Sequence, residues 1–326
     1  MRKYKNKIER ILAVRNDRFG EFLLNIPAFR ALKESFASSE LTLVVNPYAQ
    51  ELAECIDFVD KVLPWENKKH KLNDIIKFSK ELRNKKFDLC VIFNPSKEFN
   101  IISFLAGVPL RLGYNRKWGI LLNRKTEDRK NLGKKHEIEY NLELAGLIGA
   151  ETGNKTLFLR IDDDIINGLF RDYGIENSKN LMAIHPWTSD PVKQWPIEKF
   201  SELAKRVAGE FGFKVLIIGG KEEFYKSQEF FSGLNNIVNL TGKTSLKQLA
   251  ALLKICKLLI SGDSGPVHLA SCVDTTVIAI FRNDLPGKTA VRWGPRSSHS
   301  IVIEKNNLSD ISVDEVFDKV KEALKR

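Results

Sequence analysis

Short runs that are apolar at nearly every position recur along this chain, each followed by a stretch with helical periodicity, and that alternation constrains the fold more than any other feature. A strand apolar on both faces belongs to a parallel sheet covered by helices on either side. Residues 8–14, 41–45, 61–63 and 87–93 read as such strands in the first half, and 181–184, 214–218, 237–239, 258–261 and 277–280 in the second. Helical patterns fall at 21–36, 49–55, 71–83, 98–106 and 136–148, then at 163–173, 197–211, 222–232, 246–254 and 267–273, with 313–325 closing the chain. Pro27 bends the first of these helices or marks a late start. The expected class is α/β, with two Rossmann-like, doubly wound parallel-sheet domains. With 326 residues, 43% of them hydrophobic, the chain can bury two cores. The domains are expected at 1–155 and 156–326, and the last helix is free to pack back on the first domain.

Residues 114–135 interrupt the alternation with polar, basic and aromatic residues and no clear period, which reads as a long loop. They also belong to a charge asymmetry. Residues 1–135 carry 28 Lys and Arg against 16 Asp and Glu, so the whole net charge of +11 lies there. Arg111, Arg116, Lys117, Arg124, Lys125, Arg129, Lys130, Lys134 and Lys135 are interleaved with Tyr114, Trp118, Ile120, Leu121 and Leu122. The plain reading is a solvated surface; the functional one is a polyanionic partner or an anionic membrane face. No nucleic-acid-binding module accompanies the charge, so nucleic acid is not an expected partner. After the basic opening only Ile11 to Val14 form an apolar run, too short for a signal peptide or a span, which points to a cytoplasmic protein. Cys55, Cys90, Cys256 and Cys272 are scattered and read as reduced core residues.

Each half places polar residues where a strand ends, the edge at which open α/β sheets bind ligands. In the second half, Gly262-Asp263-Ser264-Gly265-Pro266 joins a buried strand to a helix that continues through Val267 and His268. Alone it is an ordinary βα turn; as a site, its glycines and free helix-start amides suit a phosphate, while the Asp263 carboxylate suits hydroxyls. A ligand with both chemistries is a nucleotide sugar. Thr188 and Ser189 follow another strand, and either cap a turn or converge with Lys193 on a diphosphate. Glu222, after Gly219 and Gly220, caps a helix or holds a ribose diol. In the first half the cluster is Arg15, Asp17, Arg18, Gly20 and Glu21. Glu21 at a helix start is either a dipole partner or a general base, and Asp17, flanked by arginines, is a paired ion and a poor base. His185 and His268 lack metal-ligand spacing, and Asp162-Asp163-Asp164 falls at a helix start, so neither a metal site nor a cofactor is expected.

Four elements, in order, resemble glycosyltransferase family 9, the ADP-heptose:lipopolysaccharide heptosyltransferases and their relatives. They are Gly20-Glu21-Phe22-Leu23-Leu24-Asn25-Ile26-Pro27-Ala28 after the opening strand, Lys193-Gln194-Trp195-Pro196, Asp263-Ser264-Gly265-Pro266-Val267-His268-Leu269-Ala270, and Trp293-Gly294-Pro295. The resemblance implies a GT-B fold, its two domains facing across a cleft, and an inverting, metal-independent transfer of a sugar to an acceptor hydroxyl. By position, Glu21 stands where the family has an aspartate base. Lys193 and the amides of residues 262–267 would receive the departing diphosphate with Thr188 or Ser189 assisting, and Asp263 would orient sugar hydroxyls. Glu222 would hold the nucleoside, and backbone near Thr244 would meet the base. The implied partners are ADP-heptose and a lipopolysaccharide-core or other anionic glycolipid acceptor, with peripheral attachment at the inner membrane. The competing readings are a GT-B glycosyltransferase with another nucleotide-sugar donor, a nucleotide-sugar epimerase on the same fold, and a basic binding protein.

Overall fold

In the computed structural model, which describes residues 8–173, 175, 180–297 and 299–325, the apolar runs form two six-stranded parallel sheets. Residues 1–7, the basic opening, lie outside the described residues. The chain divides into two units, 1–157 and 158–326.

The first unit runs β1 (Arg10–Val14), α1 (Phe19–Leu23), α2 (Ile26–Ser35), β2 (Glu40–Val45), α3 (Gln50–Ala53), β3 (Lys61–Pro64), α4 (Leu72–Lys85), β4 (Leu89–Ile92), α5 (Lys97–Leu105), β5 (Leu110–Tyr114), β6 (Arg124–Thr126) and α6 (Glu137–Gly146). Its sheet order is β3-β2-β1-β4-β5-β6. β1 therefore pairs with β2 on one side and β4 on the other, Val14 lying opposite both Val44 and Ile92. Alternate residues face opposite ways: Leu12, Val14, Val44, Cys90 and Ile92 meet Phe78 and Leu82 of α4 and Phe99 and Ile102 of α5. α2 packs against α6.

The expected helix over 21–36 is two helices. Pro27 sits in the first turn of α2, where its missing N–H is no loss, so it starts a helix and does not bend one. Residues 114–135 are not the long loop expected from their lack of period. They hold the end of β5, two short 3-10 turns and β6, whose three residues at the sheet edge are too few and too polar to show a strand pattern.

The second unit runs α7 (Asp163–Tyr173), β7 (Leu181–His185), α8 (Ile197–Phe211), β8 (Lys214–Ile217), α9 (Phe224–Phe231), β9 (Ile237–Asn239), α10 (Leu246–Ile255), β10 (Leu258–Gly262), α11 (Gly265–Cys272), β11 (Thr276–Arg282), α12 (Ala290–Trp293), β12 (Ile301–Lys305) and α13 (Val313–Leu324). Its sheet order, β12-β11-β10-β7-β8-β9, repeats that of the first unit. Phe200, Leu203 and Val207 of α8 and Val316, Phe317 and Val320 of α13 close over Met182, Ile184, Ile260, Ile278 and Ile280. α13 thus packs on α8 within its own unit.

In both sheets the winding reverses between two central strands, β1 and β4 in one and β7 and β10 in the other. Loops leaving such a pair diverge to opposite faces and open a crevice outside the strands' carboxyl ends. The motif residues of each half fall at these two points.

Candidate functional site

In the first unit residues 15–21 leave β1 where the winding reverses. The guanidinium of Arg15 is 4% exposed and held by three acceptors: Nε donates to Asp17 Oδ1 at 2.7 Å, and Nη1 to Glu137 Oε1 and the Phe93 carbonyl, each at 3.4 Å. Burial works against its charge, but the carboxylates of Asp17, Glu137 and Glu21 more than offset that, and Arg15 stays protonated. Glu137, fully buried at the start of α6, also accepts from Lys130 Nζ at 2.6 Å. Lys130 reaches Asn141 Oδ1 at 2.9 Å, and Asn141 donates to the Leu24 carbonyl that ends α1 at 3.3 Å. A chain of buried polar contacts therefore ties the helix that carries Glu21 to the arginine beside it.

Glu21 itself lies half-buried in the first turn of α1. Desolvation raises its pKa above the ordinary 4.5, with Asp17 adding to the rise while Arg15 and Arg18 oppose it. The hydroxyl of Tyr48 donates to the Asp17 carbonyl at 2.9 Å, and burial pushes its pKa up to about 12. A carboxylate raised by burial and not neutralised by its own ion pair is what a general base requires. Asp17 is the paired ion expected from its flanking arginines, and Arg15 is engaged with it and with the body of the unit. Arg18 is exposed and Gly20 is buried.

In the second unit the strand ends are β7 and β10. Ser261 Oγ lies 2.8 Å from Ser264 Oγ, and His185 Nδ1 lies 3.1 Å from Ser264 Oγ and 3.3 Å from Ser261 Oγ. Burial lowers the His185 pKa to about 4, so its ring is neutral and pins the turn between the two strands. Ser264, expected at the ligand, turns its hydroxyl inward to this triad. Next to it, Lys193 Nζ forms an ion pair with Asp263 Oδ2, both side chains largely shielded from water.

Lys193 gets there because its neighbours are fixed. Trp195 is fully buried and donates from Nε1 to the Ile311 carbonyl at 3.1 Å, while Gln194 Nε2 donates to the Pro186 carbonyl at 2.6 Å. The Lys-Gln-Trp-Pro element is thus an anchor carrying one cation.

Of the amides expected to meet a diphosphate, Pro266 has none and Val267 donates to the Ser264 carbonyl at 3.2 Å. Among the described residues, no backbone carbonyl outside the helices and strands accepts from the amides of Ser264 and Gly265. His268 is buried with its ring centroid 6.4 Å from that of Trp293, whose Nε1 donates to the Gly287 carbonyl at 2.9 Å. Val267 is buried beside it. Thr188 Oγ1 accepts from the Asp190 amide at 3.3 Å and caps the turn, while Ser189 is exposed.

The turn after β8 differs from expectation in one respect. Glu222 is exposed, but one carboxylate oxygen of Glu223 is buried, and no donor among the described residues reaches it. Both carboxylates fold over Gly220, where a Cβ would lie 2.8 Å from Glu223 Oε2 and 2.9 Å from Glu222 Oε2. Gly242 (φ +73°) approaches the same turn, its amide donating to the Gly219 carbonyl at 2.9 Å, and Thr244 follows, half-exposed. The sequence marks this turn by its paired glycines and paired glutamates, but nothing in it says which glutamate is turned inward. Glu137, Lys130 and Asn141 were likewise missed as a set, because a buried pair seven residues apart gives no local signal.

Among the described residues no group of three or more His, Cys, Asp or Glu side chains is placed to hold a metal ion, and no helix is long and apolar enough to cross a membrane.

The family model described as glycosyltransferase family 9 (heptosyltransferase) matches residues 75–321. A lipopolysaccharide core heptosyltransferase of Haemophilus influenzae is 27% identical over 79% of this chain and 75% of its own length. The lipopolysaccharide heptosyltransferase 2 of Salmonella typhimurium is 22% identical over 86% of this chain and 84% of its own. Among solved structures, the ADP-heptose lipopolysaccharide heptosyltransferase II of E. coli matches with a TM-score of 0.85 at 20% identity, covering 97% of this chain and 98% of that one. A family 9 glycosyl transferase of Veillonella parvula gives 0.87 at 21% identity, with 97% of each chain covered. At these identities the structural likeness carries the fold.

Proposed function

The chain belongs to glycosyltransferase family 9 and is a glycosyltransferase with the GT-B fold, and on that premise we propose that it moves a heptose from ADP-heptose to a lipopolysaccharide-core hydroxyl. The transfer is a single displacement with inversion and without a metal ion. Glu21 takes the proton of the acceptor hydroxyl as its oxygen bonds to the anomeric carbon. The bond from that carbon to the diphosphate oxygen breaks, and ADP departs with the electron pair. Lys193 and the amides of Ser264 and Gly265 receive the growing negative charge, with Thr188 and Ser189 beside them. Asp263, opposite Lys193, is the acceptor for sugar hydroxyls. Glu223, with Glu222, takes the ribose hydroxyls, and backbone near Thr244 meets the base. The acceptor is an anionic glycolipid at the cytoplasmic face of the inner membrane, which gives the basic first unit its role.

The observation that carries this reading is the Lys193–Asp263 pair beside the helix-start amides of α11, at the switch point between β7 and β10. A diphosphate needs the cation and the amides, and a sugar needs the carboxylate.

Replacing Glu21→Gln is expected to lower turnover about 10²- to 10⁴-fold while leaving the dissociation constant for ADP-heptose unchanged. Calorimetric binding and a coupled ADP-release assay check the two halves, and near-normal turnover removes Glu21 as the base. Thermal midpoints measured with ADP-, UDP- and GDP-sugars test the donor, since ligand in excess of its dissociation constant stabilises the fold by mass action. Equal shifts for all three argue against ADP-heptose.

A further inference from the structure

Among the described residues of the first unit, five large apolar side chains stand half or more in water: Leu72 at 67%, Phe104 at 50%, Trp118 at 55%, Ile120 at 83% and Leu132 at 50%. Three of them are linked. Lys97 Nζ sits over the Trp118 ring, 4.4 Å from its centroid. Further along the same face of α5, Phe104 lies under the guanidinium of Arg111, 5.4 Å away, and Arg111 Nε donates to the Leu121 carbonyl next to Ile120 at 2.8 Å.

The backbone that presents this tip is held in an unfavourable form. Lys117 (φ 46°) and Trp118 (φ 70°) are both left-handed, a conformation that side-chain-bearing residues rarely adopt. Asn100, buried in α5, fixes them by donating from Nδ2 to the Arg116 carbonyl at 3.3 Å and to the Lys117 carbonyl at 2.9 Å. Gly119 then lets the chain pass the Tyr114 carbonyl, which a Cβ would approach to 3.1 Å. A loop that was only solvated surface would not need a buried asparagine to hold an indole and an isoleucine outward.

Charge says what faces it. Lys97, Lys117, Arg124 and Lys125 are exposed around the tip. The acids beside it are engaged, Asp128 with Arg116 at 2.6 Å and Glu127 with the Asn115 amide at 3.0 Å. An aromatic and a branched aliphatic side chain at the apex with cations behind them match the layering of an anionic bilayer, apolar chains below a plane of phosphates.

We propose that the tip formed by Trp118 and Ile120, backed by Lys97, Lys117 and Arg124, is the surface by which this chain docks on an anionic lipid bilayer. Trp118 and Ile120 enter the interface and the cations meet lipid phosphates. The choice of a bilayer rests on the reading of a glycolipid acceptor, but docking is measured without one.

The full chain is sedimented with vesicles of phosphatidylethanolamine and phosphatidylglycerol, and with vesicles of phosphatidylcholine alone. Wild type is expected to partition into the anionic vesicles only. Trp118→Ala with Ile120→Ser lowers that partitioning at least about tenfold, and Lys117→Glu with Arg124→Glu lowers it about fivefold per cation lost or more. Thermal midpoints within a few degrees of wild type confirm that the variants fold, and a milder Trp118→Gln replaces any that do not. Equal binding of wild type and the apolar variant to anionic vesicles, or no binding by wild type, overturns the proposal. So does retained vesicle binding with loss of turnover on acylated acceptor alone, which would assign the tip to the acceptor itself. Vesicle docking without heptose transfer from ADP-heptose would leave the surface standing and reject the proposed reaction.

Discussion

At the scale of single residues, the first unit's crevice sets the ionisation of one carboxylate by the residues around it. Glu21 is raised by burial and by Asp17 and lowered by Arg15 and Arg18, so its neighbours act in opposite senses. Asp17→Asn removes a raising charge and also frees Arg15 from a partner 2.7 Å away, which strengthens the lowering field. The acidic limb of turnover against pH should then move to lower pH. Arg18→Gln, at an exposed position, should move the same limb to higher pH. Measured profiles that shift both variants in one direction would mean that another group sets the limb. In the second unit the corresponding titration concerns stability. His185 is held neutral, its pKa at about 4 against an ordinary 6.5, so between those values the unfolded chain binds the extra proton. The contribution is present in full above pH 6.5 and is lost as pH falls toward 4, an effect of about 3 kcal/mol. Urea midpoints across that range should fall on acidification, and fall less steeply in His185→Gln.

Elements rather than residues decide whether the turn after β8 can form. Gly219 has no room for a side chain: a Cβ there would lie 2.4 Å from Trp187 Nε1, which donates to the Ile218 carbonyl at 3.0 Å. Gly219→Ala is expected to cost about 1–3 kcal/mol, because it pushes a buried indole off its hydrogen bond. It should also weaken donor binding, since Gly220, Glu223 and Gly242 form the same turn. Chemical denaturation and donor calorimetry on one preparation check both effects. Strands such as β1, β7 and β10 were legible from their buried apolar runs, residues 11–14, 181–184 and 258–260, and α8 because its apolar stripe faces the sheet. β6 was not legible, since Arg124, Lys125 and Thr126 pair along only one edge and bury little. β12 was missed for the opposite reason: Ile301 and Ile303 face inward while Val302 and Glu304 face out, an alternation too short to stand out from the charged residues around it. Motifs were read more surely than the roles of their members. In Lys-Gln-Trp-Pro the tryptophan is core, and only the lysine reaches the candidate site.

Over the whole molecule the charge asymmetry was visible in the sequence, but how much of it is free could only be counted once partners were placed. Arg15 and Lys130 are buried among carboxylates, Arg116 is paired with Asp128 and Lys135 with Glu143, and Arg111 bonds to backbone carbonyls. What remains in water between residues 97 and 134 includes Lys97, Lys117, Arg124, Lys125, Arg129 and Lys134. The cation of the second unit's candidate site differs in kind, since Lys193 is largely shielded and paired with Asp263. Salt distinguishes the two environments, because exposed charges lose most of their reach once the Debye length falls below about 10 Å, while shielded pairs are screened much less. Raising ionic strength from about 0.05 to about 0.5 M, which shortens that length roughly threefold, should raise the KM for an acceptor embedded in anionic vesicles severalfold. The KM for ADP-heptose should change less, and turnover at saturation should change least. Initial rates with each substrate varied in turn at both salt concentrations separate these outcomes. If both KM values rose in parallel, the exposed cations of the first unit would have no part in meeting the acceptor's surface, and their surplus would serve solubility alone.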